Sequence, residues 1–338
     1  MNPFFLTLRK LTHSAYFISL VTVGLLLLML VLGGVAYPGF LSLQVICNLL
    51  IDNAFLLVIA IGMSFVILSG GIDLSVGSVL ALSTMITAWM LQMWHWPPIV
   101  VVPLVLVLGS LFGAAMGAMI HFFKLQAFIV TLAGMFLARG LCYLISINSI
   151  TIDDPWFVSM SQSQLAFLDV FVSPGVVIAL LMLGLAIYLA HYSEFGRAVY
   201  AIGGNEQSAL MMGLPVARTK VMIYAFSGFC AALAGLLFSF YMLSGYGLHA
   251  QGTELDAIAA VVIGGTLLTG GVGYVAGALT GVLVLGTIQT LIAFDGTLSS
   301  WWTKIVIGGL LFIFCLVQRI MVISAGKAPV PSATAGKA

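Results

Sequence analysis

Long runs of apolar residues alternate with short polar interruptions along the whole chain, and the runs set its architecture. A helix rises about 1.5 Å per residue and a bilayer core is about 30 Å thick, so roughly twenty consecutive apolar residues cross it. Windows of that size fall at 15–36, 45–69, 74–93, 97–120, 127–147, 176–191, 221–245, 255–269, 273–293 and 303–320. The pattern predicts an all-α polytopic membrane protein with about ten transmembrane helices. The eighth window is short and Gly-rich. The expected organisation is one transmembrane domain over 1–320, interrupted by a polar loop at 192–220, with 321–338 as a disordered tail.

Composition agrees with lipid as the main solvent. The 338 residues are 62% hydrophobic and only 6% charged, with a net charge of +1; soluble domains are about 25% charged. Membrane lipid is therefore an expected partner, and the charge gives no reason to expect nucleic acid. Arg9 and Lys10 precede the first apolar run with no small-residue cleavage site after it, which predicts a retained first helix. Cys47, Cys142, Cys230 and Cys315 are scattered through apolar spans, as small apolar side chains would be.

The basic residues set an orientation. With the N-terminus inside, Arg9, Lys10, Lys124, Arg197, Arg218, Lys220, Arg319, Lys327 and Lys337 are cytoplasmic; Lys304 lies outside and Arg139 within the fifth span. This bias predicts that both termini are cytoplasmic. The longest external segment, Asn148 to Pro174, carries Asp153, Asp154 and Asp169 without Lys or Arg, and reads either as a solvated loop or as a docking surface. Gly109, Gly113 and Gly117 share one face of the fourth span, and Gly277 and Gly281 repeat the spacing, as close helix packing requires.

Polar residues at membrane depth mark candidate pathway positions. In LSGGIDLSVGS (Leu68–Ser78), Gly70 and Gly71 break the second span, Asp73 is placed to cap the next, and Ser75 follows. In TELDAIAAVVIGGTLLTGGVG, Thr253 and Asp256 have capping-box spacing, and Gly264-Gly265 and Gly270-Gly271 then interrupt the run. Such interrupted helices point to a binding or gating region near the bilayer centre. Asn48, Asp52 and Asn53 at the outer start of the second span are placed to edge a vestibule or an interface. The chain has no GxxxxGK[ST], HExxH or GxSxG, so no phosphate loop, zinc site or serine nucleophile is expected: no catalytic residue, no metal and no cofactor.

Within the polar loop, Asn205 is positioned to cap a short helix, EQSALMM, that Gly213 and Pro215 terminate, while Gly203-Gly204 supplies a sharp turn. Leu210, Met211 and Met212 are too apolar to be left in water, so this knob needs a partner.

FVILSGGIDLSVGSVLAL, EFGRAVYAIGGNEQSALMMGL and ELDAIAAVVIGGTLLTGGVG together resemble the permease subunits of bacterial ABC importers for sugars, the ribose-type family, over residues 38 to 320. FDGTLSSWWTKI and QVICNLLIDNAF are similar to a permease of galactofuranose importers. The resemblance implies a ribose/vitamin-B12-importer-like fold that forms a sugar channel in the bacterial inner membrane. It also implies a cytoplasmic ABC ATPase that hydrolyses ATP on its own chain, a second permease (identical or paralogous) and a periplasmic sugar-binding protein. It assigns ATPase coupling to Glu194, Phe195, Gly196, Arg197, Gly203, Gly204, Asn205, Glu206 and Gly213. The alternatives are an ABC permease for another small solute, such as an amino acid, and an ion-coupled secondary transporter, for which Asp73 and Asp256 are the acidic candidates near the spans.

Overall fold

The computed structural model describes residues 17–163, 165–167, 170–299 and 301–326. In chain order the elements are α1 (Phe17–Ala36), α2 (Leu43–Leu68), α3 (Val76–Gln92), α4 (Pro98–Phe122), α5 (Ala127–Ile145), β1 (Ile150–Thr151), α6 (Pro155–Gln162), β2 (Leu165–Phe167), β3 (Val170–Val172) and α7 (Pro174–Tyr192). They continue with α8 (Glu194–Gly204), α9 (Glu206–Met211), α10 (Val216–Met242), β4 (Ser244–Gly245), α11 (Thr253–Ile263), α12 (Gly277–Asp295) and α13 (Trp301–Gly326).

Each of the ten apolar windows holds a helix, but among the described residues eight helices are long and apolar enough to cross a membrane. The other two are α3, of 17 residues, and α11, of 11. At about 1.5 Å per residue α11 covers roughly 16 Å, half a bilayer core. It stops where Gly264-Gly265 removes side chains that would sustain it. Helix α13 runs on to Gly326, so the start of the expected tail is helical; 327–338, like Arg9 and Lys10, lie outside the described residues.

Helices α2 and α10 form the centre. Their apolar windows are 78% and 61% buried, against 11% for α1 and 17% for α13, which lie at the periphery of the bundle. Gly109, Gly113 and Gly117 of α4 all face α10: a Cβ on Gly109 would sit 2.5 Å from the Ala232 Cβ, and one on Gly113 would overlap the Tyr224 carbonyl. Gly228 answers from α10, where a Cβ would overlap the Gly109 carbonyl. The two backbones touch because neither carries a side chain at the crossing. Gly277 and Gly281 of α12 approach Gly264 and Ala260 of α11 in the same way.

Helix α10 connects two distinct ends of the bundle. At its start lie α8 and α9, here called the knob end; at its finish lie α6 and the strands, the far end. The segment expected either as a solvated loop or as a docking surface, Asn148–Pro174, carries folded elements at the far end. Asp154 caps α6 by accepting from the Trp156 and Phe157 amides, β1 pairs with β4, and β2 with β3. Phe157 is fully buried and meets the Phe240 ring at 4.8 Å. Asp169 lies outside the described residues.

The unpaired carbonyls where α11 stops are satisfied by side chains from its neighbours, as hydrocarbon requires. Thr22 of α1 donates to the Ile263 carbonyl and Ser19 to that of Gly264 at 3.3 Å, while Gln318 of α13 donates to Val262 and Thr266 at 3.2 and 3.3 Å.

Gly113→Leu should lower the melting temperature of the detergent-solubilised protein, since overpacking against backbone costs about 1–3 kcal/mol or more. Gly140→Leu, where a Cβ meets nothing within 4 Å, should leave it unchanged. Thermal unfolding read by size-exclusion chromatography checks both.

Candidate functional site

The knob is two short helices set by local caps. Ser193 caps α8, accepting from the Gly196 amide at 3.1 Å, and Asn205 caps α9, accepting from the Ser208 amide at 2.8 Å. Gly196 is required at this corner because a Cβ would overlap the Leu189 and Ala190 carbonyls. Phe195 stacks on Phe65 of α2 at 5.7 Å, anchoring α8 to the central helix. Glu194 and Arg197 are exposed and face each other at 4.0 Å. Glu206 binds Lys220 at 2.7 Å, tying α9 to the first turn of α10. Gly213 adopts a φ of +77° just past α9 and ends it. Ala209 is buried with Ile202 and Val216, whereas Leu210, Met211 and Met212 are 52%, 90% and 67% exposed. The knob thus presents an apolar tip to solvent.

Gly203-Gly204 is not a turn: both residues belong to the last turn of α8, and the chain bends at Asn205. Their role lies in packing. Three glycine pairs from distant parts of the chain meet here. The Gly271 amide donates to the Leu68 carbonyl at 2.8 Å. A Cβ on Gly203 would overlap that same carbonyl, one on Gly270 would lie 2.7 Å from the Gly70 nitrogen, and one on Gly271 would lie 2.7 Å from the Gly204 nitrogen. Gly70, Gly270 and Gly271 have φ of +80°, +83° and +74°, open to glycine at no steric cost. Tyr200 of α8 adds a bond to the Gly273 carbonyl at 2.8 Å. Burial first, and then neighbouring Tyr274, push the Tyr200 phenol up to about 12, so it stays a donor at neutral pH. The α2–α3 break and the α11–α12 turn therefore converge on α8 at the knob end, not at the centre of the bundle. Gly70 and Gly71 also line a knob-end cavity of about 560 Å³ with His121, Lys124, Glu206 and Lys220.

Asp73 lies just inside this node and is fully buried. It does not cap a helix starting at position 74: α3 begins at Val76 with Ser75 as its N-cap. Instead its carboxylate accepts from the Ser75 amide and hydroxyl at 2.9 and 2.6 Å and from Ser227 of α10 at 2.7 Å. Asp73 and Ser75 thus tie the break to the central helix. Gly264 packs on Gly277, and Gly265 turns the chain with a φ of +105°.

Towards the far end the polar residues separate. Asn53 is buried and donates to Leu49 of its own helix at 2.9 Å. Asn48 and Gln44 line a cavity of about 340 Å³ with Phe55, Phe171 and Phe240, while Asp52 accepts from Tyr241 at 3.2 Å. The Thr253–Asp256 capping box does not form, because Gly252 is the N-cap of α11 and makes no side-chain bond. Asp256 instead pairs with Lys304 of α13 at 2.6 Å.

Three further polar residues stand out only in the structure: Arg139, His249 and Glu254. Arg139 of α5 donates to the Gly247 and His249 carbonyls at 2.5 and 2.8 Å. A charge at such depth costs roughly 2.5–3.5 kcal/mol on insertion scales. Its position within a span was the available signal; Glu254 and His249 carried none, because the turn that gathers them is not visible in periodicity.

The described residues thus form a bundle of helices long and apolar enough to cross a membrane, with two interrupted helices and a capped knob with an apolar tip. The family model for the branched-chain amino acid transport system / permease component matches residues 45–315, and the chain belongs to that permease family. The inner membrane ABC transporter permease protein YjfF of Escherichia coli K12 is 52% identical over 307 residues, covering 89% of this chain and 91% of its own. The fructose import permease protein FruG of Bifidobacterium longum is 38% identical, covering 91% and 92%. The ribose import permease protein RbsC of E. coli K12 is 32% identical, covering 92% and 97%. No solved structure matches. The protein is a multi-pass permease of an ABC sugar importer, a transport subunit and not an enzyme.

Gly203→Val should abolish uptake or assembly, because the added carbons meet backbone on two sides; Gly204→Ala, with open space, should be tolerated. Uptake normalised to membrane protein level separates the two.

Proposed function

We propose that this permease carries a monosaccharide of the galactofuranose kind across the bacterial inner membrane, with the knob end and both termini in the cytoplasm. A separate ABC ATPase docks on the knob, a second permease (identical or paralogous) completes the channel, and a periplasmic binding protein delivers sugar at the far end. The observation that carries the reading is the knob itself. Its apolar tip, Leu210 to Met212, is exposed, while its base is locked to both helix interruptions by backbone contact. A push on the tip reaches α2, α3, α11 and α12 together. The choice of sugar rests on the resemblance of Gln44–Phe55 and Phe294–Ile305 to galactofuranose permeases, within a set of relatives named for fructose, ribose and xylose.

Mechanistically, ATP binding closes the ATPase dimer and displaces α9. Helix α8 follows through the Asn205 hinge and the two interruptions move with it, the α2–α3 break drawing on α10 through Asp73 and Ser227. The soluble receptor supplies affinity, so the channel need not bind sugar tightly. An ion-coupled carrier is disfavoured because Asp73 is occupied by serine donors and Asp256 by Lys304.

Co-purification of the tagged protein tests the reading: an ATPase and a permease partner should accompany it, and the assembly should hydrolyse ATP faster with loaded binding protein. Met211→Asp should reduce ATPase recovery about tenfold or more, as expected for an apolar anchor at an interface centre, with unchanged membrane level. A permease that stays alone through mild solubilisation, or sugar uptake that ionophores abolish while ATP is maintained, would overturn the proposal.

A further inference from the structure

The turn between α10 and α11 re-enters the bundle. Gly245 packs against Thr84 and Ala88 of α3, Gly247 against Cys142 and Tyr143 of α5, and the Ala250 carbonyl reaches Gly77 in the first turn of α3. Since α3 runs from the knob end towards the far end, the chain leaves α10 at the far end and descends towards mid-bundle before α11 begins. Two non-glycine residues of the turn, Leu243 and Ala250, hold φ of +47° and +55°. Left-handed backbone at such side chains is strained and persists where surroundings impose it, most often at functional sites.

Arg139 pins the middle of this turn, just ahead of Ala250. Its position in α5 lies about 18 Å from the knob-end start of that helix. Both of its bonds run through Nη1 to the turn's carbonyls. The Nε–H and Nη2–H donors have no protein partner among the described residues, and no carboxylate pairs with the guanidinium. Arg139 is half-buried, so those donors are not sealed in the core. Free charged donors at this depth do not face hydrocarbon; they face water or a polar solute.

Other groups of the turn are also unspent. His249 Nδ1 and Glu254 Oε2 are buried without a hydrogen-bond partner. The His249 ring contacts Phe238 at 5.0 Å and Tyr246 at 5.7 Å. Glu254 fits only because residue 77 is glycine: a Cβ there would overlap its carboxylate. A guanidinium fork, an imidazole, a carboxylate and aromatic faces form a complement for a polyhydroxyl solute, which offers vicinal hydroxyls on its edges and C–H groups on its faces.

We infer that the turn 243–254, pinned by Arg139, is the station where sugar touches the wall of the translocation path between the far end and mid-bundle, with Arg139, Tyr246, His249 and Glu254 as the contacts. This rests on the importer reading for its direction and solute class.

The test is water access and sugar protection in the assembled importer in vesicles, with the native cysteines replaced by alanine. His249→Cys should react with a charged, water-soluble thiosulfonate about tenfold or more faster than Leu144→Cys, since only a hydrated thiol ionises. Leu144 is 83% exposed on the outer surface of α5. Saturating galactofuranose, ribose, fructose or xylose should slow the His249→Cys reaction. Equal unreactivity at both positions, or protection by leucine instead of any sugar, would overturn the inference. Arg139→Lys keeps the charge but loses the planar fork; it should lower uptake about tenfold at saturating sugar, one charge-assisted bond's worth, while receptor-stimulated ATP hydrolysis persists. Parent-level uptake by that variant, or loss of hydrolysis along with uptake, would equally count against it. The cysteine comparison can be repeated on the permease alone in vesicles, without its ATPase, so it fails or succeeds separately from the importer reading.

Discussion

Everything at the knob end depends on one close approach of bare backbone. The Leu68 carbonyl, freed where α2 ends, accepts from Gly271 in the turn after α11, and Gly203 of α8 lies against both. No side chain mediates the meeting, so no rotamer change can absorb a displacement. Contact of this kind makes three sequence-distant segments behave as one body, as close-packed interiors transmit strain. Phe195 on Phe65 and Tyr200 on Gly273 fix the orientation of that body, and Asp73 with Ser227 joins it to α10.

Interrupting helices in a membrane exposes polar backbone, and the solution differs at the two interruptions. At the α2–α3 break a buried carboxylate gathers donors from the new helix start and from α10. At the end of α11 the orphan acceptors are met from outside by Ser19, Thr22 and Gln318. The first device is rigid and central. The second enlists the two least buried of the long helices, so α1 and α13 serve as more than peripheral cladding.

Much of this was legible in the chain. Apolar run length located every helix of the bundle, and the α9 caps, Asn205 and Gly213, follow from local chemistry that tertiary context leaves alone. The glycine spacing of α4 also read correctly as packing. Capping inferred for Asp73 and Asp256 failed because each carboxylate had a better partner far along the chain, Ser227 and Lys304, which spacing does not reveal. Gly203-Gly204 resembled a turn, yet the pair ends a helix and Gly203 gives clearance for two backbones from elsewhere. The α10–α11 turn carried no signal for a similar reason: it reads as an ordinary Gly-rich connection between two apolar runs, and only the fold brings Arg139 to it.

The brevity of α11 has a consequence for how the protein is made. Eleven residues are too few to halt a translocating chain as an independent span. Its acceptors find Ser19 and Thr22 near the beginning of the chain and Gln318 near its end. The segment therefore reaches its final place only after α13 has been synthesised and has entered the bilayer. Insertion of the long helices comes first and seating of α11 last, so biogenesis closes with a folding step that joins α1, α11 and α13.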